Sequence, residues 1–149
     1  MVPFLVLVVV TCASRLIGLF GAEYVSTWVA ALAVGLAAMF LTTATSHFIE
    51  PRRSGLVAIV PPRIPYAGAV VTLTGALEVL GAIGLLLPPV RQWAAACLAV
   101  LLCVMLPANV YASKRKRHPH APSTPLPQRL LLQALFLAAC VAVALPMPW

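Results

Sequence analysis

Apolar residues fill the chain in five long runs, over 3–20, 26–48, 66–87, 90–111 and 130–145, separated by short polar or proline-bearing stretches. A helix needs roughly 20 apolar residues to cross a bilayer, with a range of about 17 to 25. The second, third and fourth runs meet that length. The first is interrupted by Arg15 and the fifth is short, yet both read as spans. The first run lacks a positive stretch ahead of it and a small-residue cleavage site after it, so a retained helix is expected rather than a cleaved signal peptide. The pattern predicts an all-α fold: a polytopic membrane helix bundle of five spans, folded as a single transmembrane domain over 1–149.

Composition supports a bilayer. Hydrophobic residues make up 62% of the chain and charged residues 9%, whereas soluble domains are nearer half and a quarter. The formal charge of +7 does not imply nucleic acid, because no aromatic-interleaved basic face accompanies it. Topology explains it better. With five spans, the 49–65 and 112–129 loops lie on the side of the N terminus. That side holds Arg52, Arg53, Arg63, Lys114, Arg115, Lys116, Arg117 and Arg129, eight of the ten basic residues. The positive-inside rule then predicts a multi-pass cell-membrane protein with its N terminus cytoplasmic and its C terminus outside. Trp28, Trp93, Trp149 and Tyr24 fall near the outer boundary, as an aromatic belt requires. Pro88-Pro89 predicts a tight outer turn that makes the third and fourth helices an antiparallel hairpin. The 112–129 stretch, basic and then Pro-rich, reads as an extended cytoplasmic loop, with Lys114 to Arg117 near anionic headgroups. Cys12, Cys97, Cys103 and Cys140 all lie in apolar runs without C-x-x-C or zinc spacing. They read as small buried hydrophobes, with a disulfide or redox thiol left open.

Glu78 lies in a run, 66–87, that contains no other charge. An acid at bilayer depth is expensive, so it faces the bundle interior, pairs with another group or is held protonated. Gly75, Glu78, Gly81 and Gly84 recur three apart, and glycines at that spacing let a neighbouring helix approach closely. Glu78 is open to two readings. It is a structural acid bonded to Thr, Ser or Arg on another helix, or it is a ligand contact, proton acceptor or relay. Arg15, the one cation inside an apolar run, is the candidate partner, with snorkelling to the outer interface as its alternative.

The cytoplasmic end of the second helix is unusually polar. Thr43, Ser46, His47 and Glu50 share a helical face there. His47 can move protons near neutral pH or cap its helix. One histidine near the membrane gives no pair for haem or copper, and no metal site is expected. Pro107 removes a backbone hydrogen bond from the fourth helix. Asn109 can serve the freed backbone or a ligand. Glu78 lies about 15 to 18 Å along its helix from the cytoplasmic end, where His47 is. Contact between them is therefore expected to need tilt, re-entry or bridging water. The connector from Val60 to Pro65, with Leu56, Val57 and Ile59, is apolar enough to fold back as a lid over the polar cluster.

Several motifs occur in order over about residues 30–113. They are His47-Phe48 before a Pro-containing loop, Val60-Pro61 and Pro65, the Gly- and Leu-rich stretch 74–88 around Glu78, and the Leu106-Pro107-Ala108-Asn109-Val110-Tyr111 stretch. Together they resemble the DoxX-like membrane protein family. The resemblance implies a four-helix bundle formed by the second to fifth spans, with the first span added. It also implies a shared site at His47, Glu78, Pro107 and Asn109. Family namesakes are linked with thiosulfate and quinone oxidation, other members look like partners of redox enzymes, and a eukaryotic branch looks like an assembly chaperone.

The resulting expectation is a redox-accessory subunit in the lipid bilayer that binds a lipophilic small molecule, with a quinone as the candidate cofactor. Glu78 and His47 would exchange protons. Asn109, Arg15, Glu50, Thr43, Ser46 and Thr74 would contribute to ligand binding. A redox enzyme and a second copy of the chain are the candidate protein partners. The rivals are a stand-alone membrane enzyme using Glu78 and His47 as acid and base, and an assembly scaffold packing through its glycine face.

Overall fold

The computed structural model describes residues 2–114 and 125–145. All regular structure among them is helical. Helix α1 spans Val2–Leu19, and a single 3-10 turn at Glu23–Val25 leads to α2, Trp28–Phe48. A short α3, Arg52–Ala58, follows. Then come α4 at Ala67–Leu86, α5 at Arg91–Lys114 and α6 at Leu126–Ala144. Five of these, all but α3, are long and apolar enough to cross a membrane. The run Arg115 to Arg117, much of the Pro-rich stretch and Trp149 lie outside the described residues.

Local chemistry sets the boundaries. Thr27 caps α2 by accepting a hydrogen bond from the Ala30 amide at 3.2 Å, which satisfies one of the donors a helix start leaves free. Pro88-Pro89 closes the four-residue turn between α4 and α5. The last helix starts at Leu126, four residues earlier than its apolar run, because Pro127 falls in the first turn, where a missing amide costs nothing. Helix α5 continues through Pro107 to Lys114.

Helix α2 is the hub. It is buried around most of its circumference and packs on α1, α3, α4 and α6. The contacts α2–α4, α4–α5, α5–α6 and α6–α2 close a ring of four helices, and α1 lies outside it against α2. The core runs down the ring through Leu36, Phe40, Leu85, Leu98 and Val143. Close approach has a clear cause at two glycines. A Cβ at Gly35 would fall 2.9 Å from the Leu7 carbonyl of α1, and one at Gly75 would fall 2.5 Å from the His47 Cβ.

The glycines of α4 do not share one face. Gly75 meets His47 and Phe48 of α2, whereas Gly81 meets Leu98 and Gly84 meets Ala94, both on α5. Three residues turn a helix about 60° short of a full circle. The stripe therefore winds about half-way round α4 between Gly75 and Gly84, and it seats two neighbours rather than one.

Candidate functional site

Glu78 points into the bundle and is 3% exposed. One carboxyl oxygen, Oε2, accepts a hydrogen bond from the Thr43 hydroxyl at 2.8 Å. The other, Oε1, lies 3.6 Å from His47 Nε2. His47 is equally buried. Its Nδ1 stands 2.8 Å from the Val71 carbonyl and 3.2 Å from the Thr74 hydroxyl. A carbonyl only accepts, so Nδ1 carries a hydrogen and donates it to Val71. Nε2 and Oε1 then face each other across 3.6 Å, within ion-pair range and longer than a hydrogen bond.

This contact needs neither helix re-entry nor bridging water, contrary to the reading from helix ends. The discrepancy has two causes. First, α2 and α4 do not end level. His47, the penultimate residue of α2, rests on Gly75, so α4 overshoots by the eight residues from Ala67, about 12 Å at 1.5 Å per residue. Second, side chains lean toward their own helix N terminus. In this antiparallel pair Glu78 leans toward the α3 end and His47 leans away from it, so they converge.

Beside this pair lies a cavity of about 460 Å3. Thr43, Ser46, His47 and Glu78 form one polar wall, and Asn109, Arg129 and Gln133 form another. Between them the lining is apolar: Met39, Phe40, Leu102, Met105 and Phe136. The second wall is itself bonded, with Asn109 Nδ2 donating to Gln133 Oε1 at 3.0 Å and Gln133 Nε2 donating to the Leu102 carbonyl at 2.6 Å. Helix α3 lies at the cavity's end and contributes Arg52 and Leu56 to its lining. Of the 49–65 connector only these two residues of α3 line the cavity, whereas Val57, Ile59 and the stretch from Val60 to Pro65, expected as a lid, do not. Arg53 fixes α3, donating to the His47 carbonyl at 3.1 Å and the Thr72 hydroxyl at 3.0 Å.

Two expected members belong elsewhere. Glu50 accepts from the Ser54 amide at 3.0 Å and so caps α3; it falls past the end of α2, where the helical face shared with Thr43 no longer applies. Arg15 does not partner Glu78. Its guanidinium lies 5.4 Å from the centre of the Trp28 ring, at the end of α2 opposite His47. The same end holds a second such pair, Arg91 over Tyr24 at 5.3 Å, with Arg91 donating to the Leu85 carbonyl and the Tyr24 hydroxyl to the Leu86 carbonyl. Thr74 stands behind His47 rather than on the cavity wall. It donates to the Val70 or Val71 carbonyl, each 3.0 Å away.

Arg129 and Gln133 were not expected in the site. Both are buried. A signal existed: Arg129, Gln133, Phe136, Cys140 and Val143 recur at helical spacing, and Gln133 is the one polar side chain in an otherwise apolar run from Leu130 to Leu145. Counting Arg129 as a loop charge hid it. The cysteines are free thiols, with Cys12, Cys97 and Cys103 exposed on the outer helix surfaces and Cys140 buried.

The model of a family described as Domain of unknown function (DUF8561) matches residues 36–144, which contain the whole four-helix ring from mid-α2 onward and every residue of the two polar walls. No curated protein and no solved structure matches the chain.

Proposed function

The chain belongs to the DUF8561 family, whose description carries no activity, and we propose from the chemistry of the cavity that it is a multi-pass membrane protein that binds a lipophilic small molecule. One observation carries this reading. A cavity of about 460 Å3 combines an apolar lining with two polar walls on facing helices. Small-molecule sites have this build: about 300 to 1,000 Å3, mostly apolar, with a few placed polar groups. In this reading Glu78 gives a proton to, or takes one from, an oxygen of the ligand. His47 Nε2 supplies the proton that Glu78 passes on, or takes up the one that Glu78 receives, and Asn109 and Gln133 orient the far side of the molecule.

A quinone is the candidate ligand and a redox-accessory role the candidate context. The support for both is the size and polarity of the cavity and the DoxX-like motifs. Eight of ten basic residues fall on the α3 side by sequence, which supports a cytoplasmic placement for that end and for the N terminus. The Glu78–His47 pairing also favours one rival, acid–base catalysis on a lipophilic substrate.

The test is mass spectrometry of small molecules extracted from protein purified in mild detergent, comparing wild type with Glu78→Gln. A lipophile retained by wild type and depleted in the variant is the expected result, and its identity separates a quinone from other classes. Wild-type protein that carries nothing, with stability equal to the variant's, would overturn the binding reading in favour of a scaffold.

A further inference from the structure

The hydrogen-bonding state of the acid-bearing wall narrows the class of occupant. His47 Nδ1 donates to the Val71 carbonyl, so in the neutral ring Nε2 is a bare acceptor. Glu78 Oε2 is met by the Thr43 hydroxyl, whereas the nearest polar partner of Oε1 is Nε2, 3.6 Å away. That distance is too long for a hydrogen bond. A proton held on either of these two atoms leaves the other as an acceptor. The pair is buried, and buried polar groups are nearly always bonded. Ser46, next to His47 in α2, lines the same cavity, and its hydroxyl makes no hydrogen bond among the described residues. The wall is therefore matched by a partner that gives a hydrogen bond to the acid–histidine pair and takes one from Ser46. Water would meet the wall but not the apolar lining beside it, Phe40, Leu102, Met105 and Phe136.

We infer that the occupant is a lipophile headed by a hydroxyl group, an alcohol or a phenol. Its O–H donates to Glu78 Oε1 or His47 Nε2, its oxygen accepts from Ser46, and its hydrocarbon body lies along Leu102, Met105 and Phe136. A carbonyl or ether oxygen only accepts and would leave the acceptor of the pair unmet. An ammonium only donates; it would leave the Ser46 hydrogen unmet and bring a charge that apolar surroundings penalise. A site built for a hydroxyl rejects analogues that lack it, because its own buried groups are then left unpaired. This inference rests on the cavity being a binding site. It deepens that reading: for a quinone, it selects the reduced, dihydroxy form over the oxidised one.

The experiment places purified full-length protein in phosphatidylcholine nanodiscs, where no sugar detergent competes for a hydroxyl site. It titrates with dodecanol, dodecyl methyl ether and dodecylamine and reads bound ligand by native mass spectrometry. Dodecanol should bind at least about tenfold tighter than the ether, the scale of one hydrogen bond to an ionised group, and tighter than the amine. Glu78→Met should shrink the advantage over the ether severalfold, with His47 Nε2 left as the one acceptor. Ser46→Ala should weaken alcohol and ether alike, because both accept from it. If Glu78→Met prevents folding, the wild-type ratio and Ser46→Ala carry the test. Equal binding of alcohol and ether, or tighter binding of the amine, with every probe lost in the cavity-filling Met105→Trp, would overturn the hydroxyl head while leaving the cavity as a site. Binding of every probe unaffected by Met105→Trp would overturn the cavity reading itself.

Discussion

The Thr43 hydroxyl has one hydrogen and two acceptors, Glu78 Oε2 at 2.8 Å and the Phe40 carbonyl at 2.9 Å. Which acceptor receives it decides whether Glu78 is held by a donor from α2. Thr43→Val removes the hydroxyl and keeps the branched shape. A hydrogen bond to an ionised group is worth about 1.5 to 3 kcal/mol, and one between neutral groups about 0.5 to 1.5 kcal/mol. Hydrogen bonds between membrane helices average nearer 0.6 kcal/mol, with a maximum of about 1.7 kcal/mol. Glu78 is nearly sealed from solvent, and the geometry is short and direct. The expected coupling is therefore at the upper end of the membrane range, about 1 to 1.7 kcal/mol. The assay is a double-mutant cycle of Thr43→Val and Glu78→Gln, with stability read from reversible unfolding in mixed detergent–SDS micelles. The cycle isolates the pair because distant terms cancel. A coupling within about 0.3 kcal/mol of zero would show that the hydroxyl serves Phe40, and the account of Glu78 as held from both sides by α2 would fail.

Three further outcomes follow from the packing. Gly75→Ala places a methyl 2.5 Å from the His47 Cβ and should destabilise by about 1 to 3 kcal/mol as overpacking, whereas Gly68→Ala, whose nearest neighbour is Arg53 Nη2 at 3.8 Å, should stabilise by about 0.5 kcal/mol; equal effects in thermal unfolding would refute the close-approach argument. Gln133→Leu leaves the Asn109 amide without its acceptor and should cost about 1 to 2 kcal/mol, while the paired change with Asn109→Leu should cost less than the sum of the single changes, as measured by the same unfolding assay. Arg53→Gln loosens α3 from the end of α2 and should speed trypsin cleavage after Arg52 severalfold in detergent; an unchanged rate would mean that α3 is held by its apolar contacts alone.

Much of the architecture was legible in the chain because apolar length is a direct consequence of bilayer thickness. Five runs became five helices of spanning length, and the isolated acid at Glu78 turned inward as its cost demands. The site was legible only in part. His47, Thr43, Ser46 and Asn109 were identified by polarity. Their convergence was not, because distance counted along one helix ignores how far two helices are offset and which way their side chains lean. The glycines looked like one stripe because three-residue spacing was read without its angular drift. Arg129 illustrates a different loss. Basic residues near span ends carry orientation, so a charge that also faces inward is indistinguishable from its neighbours until α6 is placed. Glu50 was misassigned for the opposite reason: a helical face extrapolated past Phe48 has no meaning once the helix has ended.

The uneven spread of small residues around the ring has a mechanical consequence. Helix α4 is clamped on both sides, by His47 over Gly75 and by Leu98 and Ala94 over Gly81 and Gly84, so it cannot slide without steric clash. Helix α6 contains no glycine, and its seam with α2 is the least extensive of the four that close the ring. If the cavity takes up a lipophilic molecule as proposed, the α2–α6 seam is the one whose parting breaks the fewest contacts and leaves the acid and histidine in registration. Because α6 carries Arg129 and Gln133, two of the three polar residues of the second wall would move with it as one piece.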